Sequence, residues 1–221
     1  MSGGAPRTGR SRRRGYPVGA GDDLHGNAPD ASPVALLLID VINDLEFPRG
    51  GALLRNALPA ARRIARLKRR CKSLGLPVIY VNDNFGKWRS EFSAVVRRCL
   101  GTPVRGQPVV RLVAPDPDDY AVVKPKHSGF YATPLELLLT HLGARTLILG
   151  GLAGDACVLL TAADAYLRGH RLFVPRDCVA SADRAANQRA LVYMRRVLGA
   201  DVRPSTRLNL RGLVSRPRRP R

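Results

Sequence analysis

The sequence predicts an α/β domain in which a mostly parallel sheet is covered by helices on both faces. Short runs rich in Val, Ile and Leu recur from residue 34 onward, stretches of helical periodicity fall between them, and glycines punctuate the changeovers. Strands that alternate with helices pair in parallel through right-handed crossovers. All their carboxyl ends then lie along one edge of the sheet, where open α/β folds build ligand sites.

The elements follow in chain order. Residues 1–32 are rich in Gly, Pro, Ser and Arg with few large apolar side chains, and read as a disordered leader. The run 34–39 (VALLLI) reads as the first strand. Residues 77–82, 120–123, 145–149 and 171–174 read as the next four, and 201–203 as a sixth. Between the first two, Ile64, Leu67, Cys71 and Leu74 repeat at helical spacing, with Arg62, Arg63, Arg66, Arg69 and Arg70 turned largely away. Pro59 suits the first turn of that helix and Gly75 its stop. Residues 99–119, with their Gly and Pro, read as a long loop that helps to cover the site. Thr133, Pro134 and Glu136 form a capping box ahead of the stripe Leu135, Leu138, Leu139 and Leu142, and Gly143 ends that helix. A further helix is expected over 155–168, closed by Gly169, and a last one over 184–198, burying Leu191, Met194 and Leu198. The domain is expected to span 33–208, with a basic tail over 209–221.

Composition narrows the function. A chain of 221 residues, 45% apolar, can bury a substantial core. No apolar stretch approaches the ~18–20 residues that cross a bilayer, and no signal-like apolar region follows Met1, so a cytoplasmic protein without a membrane role is expected. The four cysteines show neither CxxC spacing nor a zinc-like pattern with histidine, and reduced thiols are expected. Cys71 and Cys99 read as packing residues; Cys178, just past a strand, falls near the site.

The formal charge of +20 invites a nucleic-acid reading. Of the 37 basic residues, however, 32 are Arg, a skew that a GC-rich genome also produces, and much of the charge sits in RTGRSRRRG at the start and RGLVSRPRRPR at the end. No stacking platform or zinc finger accompanies it. Salt-sensitive, nonspecific attraction to polyanions is expected, and no specific nucleic-acid partner.

Three reactive side chains end strands on the same predicted edge. Asp40 follows VALLLI, Lys124 follows YAVV, and Cys157 lies where the strand ending at Leu149 passes through Gly150-Gly151 into a helical run. A carboxylate after five apolar strand residues is a costly placement without partners or a task. A thiol beside both groups has a base to take its proton and a cation to favour its charged form. The first turn of a helix favours an anion, and a Gly-rich approach can present N–H donors to an oxyanion.

The strings LLLIDVINDLEF, VVKPKHSGFYATPLELLLTHLGARTLILGG and GLAGDACVLLTAADAYLRGHRLFVPRDCVAS resemble the isochorismatase-like cysteine hydrolases over roughly residues 33–203. The resemblance implies a three-layer α/β/α fold with a six-stranded parallel sheet in the order 3-2-1-4-5-6. It also implies an Asp–Lys–Cys triad at Asp40, Lys124 and Cys157, and a cis peptide bond at Leu152–Ala153 that forms part of the oxyanion turn. Family members often have Thr or Ser where Gly154 stands. Nicotinamidase-like members bind a metal through Asp-x-His after the second strand. Here that segment reads NDNFGKW, similar to a group of uncharacterised members, and the four histidines are scattered. No metal and no cofactor is expected.

A cysteine at position 157 favours attack on an amide, carbamoyl or ureido carbon, so the expected reaction is hydrolysis of a small C–N bond through an acyl-thioester. The backbone N–H groups of Ala153 and Cys157 are the expected oxyanion donors. Asn43, Phe47, Asn82, Trp88, His127 and Phe130, in loops after the first three strands, are the expected pocket. His127 reads as a polar pocket residue rather than as the base, because Asp40 fills that role. The partners expected are a small-molecule substrate and further copies of the chain, as a dimer or tetramer. Alternatives are an isochorismatase-type hydrolase of a non-amide substrate and a catalytically idle family member serving as a binding or assembly module. A dinucleotide site is disfavoured because Gly150–Gly154 lacks G-x-G-x-x-G spacing. A haloacid-dehalogenase-like phosphotransferase is disfavoured because Ile42 stands where a second acid is needed.

Overall fold

The computed structural model describes residues 31–86, 88 and 91–215, so residues 1–30 of the expected leader and 216–221 of the expected tail lie outside it. Strand β1 (Val34–Ile39) lies at the centre of a parallel sheet. It pairs with β2 (Val78–Asp83) on one side and β4 (Thr146–Leu152) on the other; β3 (Tyr120–Lys124) adds to β2 and β5 (Arg171–Phe173) to β4. The order is β3-β2-β1-β4-β5, as expected through five strands. The sixth strand differs. It is the two-residue β6 (Val179–Ala180), which pairs with Gly151 and Leu152 of β4. The expected strand at 201–203 shrinks to one bridge between Asp201 and Phe173, because the Arg203 N–H turns back to the Asp201 carboxylate at 3.0 Å.

Strand alternation divides the core into two layers. Val34, Leu36 and Leu38 face Leu53, Ala57, Ala61, Ile64 and Cys71 of α1 (Gly50–Lys72). Ala35, Leu37 and Ile39 face the opposite side, among Leu135, Leu139 and Leu142 of α4 (Leu135–Leu142), Ala162 and Ala165 of α5 (Leu159–Leu167), and Leu191 and Met194 of α6 (Arg184–Arg196). Every residue of β1 is buried, as its unbroken apolar run requires for a strand covered on both faces.

Several elements depart from the sequence expectation for local reasons. Helix α1 begins at Gly50, so Pro59 lies inside it. Leu53 and Ala57 extend the buried stripe upstream, and the Arg55 carbonyl that Pro59 cannot serve belongs to an exposed residue. The stretch 99–119 is not a long loop. It contains the end of α2 (Phe92–Gly101) and all of α3 (Gln107–Leu112), which bring Cys99, Val109 and Val110 against the α1 layer. Both helices are too short to display a repeat. The capping box at α4 is half formed: the Thr133 hydroxyl accepts the Leu135 N–H at 3.2 Å, while Glu136 instead pairs with Arg168 at 2.9 Å. Residues expected to open the tail carry α7 (Leu210–Val214), with Leu210 buried; Arg70 ties down the preceding turn through the carbonyls of Ser205 and Leu208. Ser32, at the expected end of the leader, is buried and its N–H donates to the Leu142 carbonyl. Among the described residues, no helix is long and apolar enough to cross a membrane.

Candidate active site

The first strand delivers Asp40. Its backbone turns left-handed there (φ 50°) while its N–H still bonds the Val81 carbonyl of β2. The carboxylate is thereby folded back over the sheet edge, 5% exposed. The Asp83 N–H donates to Oδ1 at 2.7 Å, and Lys124 Nζ approaches Oδ2 at 2.9 Å. Lys124 is the last residue of β3 and is fully buried. Its register partner on β2 is Asp83, whose Oδ2 lies 3.4 Å from Nζ, and Nζ also donates to the Lys126 carbonyl at 3.1 Å.

The third group arrives from β4. At Gly151 (φ 135°) a Cβ would lie 2.0 Å from the Ile39 carbonyl, so glycine is what lets β4 press against β1. The Leu152–Ala153 peptide bond is cis. The chain then forms a π turn, Gly154–Val158, in which the Ala156 and Val158 N–H groups both donate to the Ala153 carbonyl. Cys157 sits inside this turn, with Sγ 3.6 Å from Lys124 Nζ and 3.5 Å from His127 Nδ1. The structure thus brings Asp40, Lys124 and Cys157 together at the carboxyl edge.

The cluster is strongly coupled. Burial raises the Asp40 carboxyl above the ordinary carboxylate value, against the lowering influence of Lys124. Burial disfavours the Lys124 charge, but Asp40, Cys157 and Asp83 together outweigh it and the ammonium is held above the ordinary lysine value. The Cys157 thiol is pushed up to about 12 by burial and then by the Asp40 charge. The resting thiol therefore keeps its proton, with a carboxylate and an ammonium poised beside it.

The other expected residues scatter. His127 reaches the sulfur from an exposed position. Asn82 is 1% exposed and spends its Oδ1 on the Ile42 N–H, fixing the loop after Asp40 instead of facing a ligand. Asn43 likewise closes its own turn by accepting the Leu45 N–H. Phe130 turns into the core with Leu135 and Leu139, and the Arg168 guanidinium stacks over its ring. Phe47 lines an open depression of about 490 Å³ with Glu46, Pro48, Gly51 and Arg105, whose wall includes none of Asp40, Lys124 and Cys157. Trp88 is 84% exposed. Cys178 is buried in the α1 layer, so the sheet separates it from Cys157, which belongs to the other layer.

Two sets of residues escaped sequence reading. Asp83 is visible as an acid at the end of β2, but its approach to Lys124 depends on strand register, which periodicity does not give. The second set explains Gly154. A Cβ there would lie 2.0 Å from Asn187 Oδ1, so a hydroxyl side chain at 154 has no room. The Asn187 amide oxygen accepts from the Ser181 hydroxyl, which in turn accepts the Asp155 N–H at the start of the π turn. Among the described residues, the one carboxylate cluster close enough to share a cation is Asp116, Asp118 and Asp119, at the opposite edge of the sheet, and the ammonium groups of Lys68 and Lys72 already lie in it.

With this geometry in view, comparison with known proteins gives a consistent result. Residues 34–205 match the model of the isochorismatase domain. The uncharacterised isochorismatase family protein YaaI of Bacillus subtilis is 39% identical over 168 residues, covering 76% of this chain and 92% of that one. The ureidoacrylate amidohydrolase RutB of Methylobacterium radiotolerans is 27% identical over 188 residues, covering 74% and 73%. Among solved structures, the N-carbamoylsarcosine amidase from Thermoplasma acidophilum superposes with a TM-score of 0.60 at 30% identity, covering 80% of this chain and 98% of that one.

Proposed function

The chain belongs to the isochorismatase family, and from that premise we propose that it hydrolyses a C–N bond of a small amide, carbamoyl or ureido compound through a thioester on Cys157. The observation that carries this reading is the contact set at the sulfur: a thiol 3.6 Å from an ammonium that is itself 2.9 Å from a buried carboxylate. Similarity to a ureidoacrylate amidohydrolase and to an N-carbamoylsarcosine amidase supports the amide-type substrate.

The roles follow from the geometry. Asp40 takes the thiol proton as Sγ attacks the carbonyl carbon, and hands it to the departing nitrogen as the C–N bond breaks. Lys124 holds the thiolate and the carboxylate together and offsets their combined charge. The N–H groups at Ala153 and Cys157 receive the developing oxyanion. Water then cleaves the thioester and restores the thiol. Burial and the Asp40 charge push the thiol up to about 12, so the sulfur is a poor nucleophile until Asp40 accepts its proton.

An ammonia-release screen over small amides, carbamoyl amines and ureido acids tests the proposal. Wild type is expected to release ammonia from at least one class. Cys157→Ala is expected to lose that activity by on the order of 10⁴-fold. Retained turnover in the alanine variant would remove the thioester mechanism.

A further inference from the structure

On the strength of the thioester reading, we infer that His127 is a second catalytic base, serving the hydrolysis of the acyl-enzyme and not its formation. Among the described residues, three groups reach the Cys157 sulfur: Asp40, Lys124 and His127. The first two are sealed, with side chains 7% and 0% exposed, whereas His127 is exposed. Asp40 is further engaged through Oδ1 by the Asp83 N–H and through Oδ2 by Lys124. Lys124 is already divided among Asp40, Asp83, the Lys126 carbonyl and the sulfur. Such an enclosed pair suits a proton that travels between sulfur and a substrate nitrogen docked beside it. The hydrolytic water comes from solvent, and among the described residues the one sulfur contact open to solvent is the imidazole.

The chemistry closes on itself. His127 Nδ1 lies 3.5 Å from the sulfur and is an acceptor in the tautomer that carries the ring proton on Nε2. Acylation sends the thiol proton away through Asp40 and leaves Nδ1 facing the acyl-sulfur as an acceptor without a donor. A water entering from the exposed side then gives its proton to Nδ1 as its oxygen bonds the acyl carbon. The C–S bond breaks, the acid departs, and the imidazolium returns the proton to Sγ. Thiol and neutral imidazole are both restored.

An activated ester separates the two half-reactions, because 4-nitrophenolate leaves without protonation. With 4-nitrophenyl acetate, His127→Ala and His127→Gln are expected to show a burst of one nitrophenolate per site at the wild-type rate. Steady turnover should then be slower than wild type by about 10²-fold, with an acetyl group persisting on Cys157 by mass spectrometry. Added imidazole is expected to restore the steady rate of the alanine variant. A steady rate within about threefold of wild type, or a burst slowed as much as the steady rate, overturns the role of His127 while leaving the thioester intact. Absence of an acetyl group on Cys157 in wild type and in both His127 variants overturns the thioester reading itself, and this role with it. The burst amplitude also reports correct folding, since it requires an assembled site.

Discussion

Strand β3 carries a buried lysine cluster at each end, and the two are built from similar parts to opposite effect. At the amino end, Lys68 from α1 is 6% exposed and bonds Asp119 and Asp116, the Tyr80 hydroxyl and the Ala114 carbonyl. Lys72 adds a second ammonium to the same aspartates. At the carboxyl end, Lys124 meets Asp40, Asp83 and the Lys126 carbonyl, but it also faces a thiol at 3.6 Å. The Lys68 cluster presents oxygens that are already satisfied, and the phenol within it is pushed further from ionisation by burial and by the aspartates. The Lys124 cluster leaves one interaction to a group that can form a bond. Burial and ion pairing of a lysine therefore do not mark a reactive site; sharing its charge with a nucleophile does.

Four substitutions sharpen that contrast, the first with its control. Lys124→Met should lower kcat by at least ~10³-fold, equivalent to about 4 kcal/mol, because Asp40 loses the cation that keeps it ionised and the thiolate loses its counter-charge. Lys68→Met is its control, and steady-state kinetics should find its kcat close to wild type. A comparable loss there would erase the distinction between the two ends of β3. Asp119→Ala removes a carboxylate 1% exposed from beside Lys68 and should cost about 3 kcal/mol of stability in urea unfolding, while kcat of the folded protein stays within about twofold. Lost activity with unchanged stability would reverse the assignment.

The last substitution has the most diagnostic sign. The Asp40 charge raises the Cys157 pKa and Lys124 lowers it, so Asp40→Asn should lower that pKa and increase the thiolate fraction at pH 8. Alkylation of Cys157 by iodoacetamide should accelerate by about tenfold even as turnover collapses, because the proton acceptor has gone. Slower alkylation in that variant would mean that Asp40 does not raise the thiol pKa.

Much of this was legible in the chain. Five strands announce themselves as apolar runs, and Gly75, Gly143 and Gly169 stop helices with positive φ, as their positions suggested. Asp40, Lys124 and Cys157 could be read because each lies at or just beyond the carboxyl end of a strand and parallel topology gathers those ends. What stayed hidden depends on facts that periodicity does not encode. Helices α2 and α3 are too short and too punctuated to show a stripe. Strand β6 has two residues and exists because β4 runs on past β5. The Asp83–Lys124 approach is a matter of register. The clearance at Gly154 is set by Asn187, thirty-three positions later on another helix.

The π turn at Gly154–Val158 has one further consequence. It holds an extra residue relative to an ordinary helical turn, so the direction in which the sulfur points is stored as a count of peptide units as well as in side-chain identity. Deleting Ala156 would let the segment relax toward α geometry and swing the thiol by about 100° around the axis, away from Lys124. A lineage could therefore silence the proposed chemistry without altering any of its three side chains, and a tally of those letters alone would overlook it.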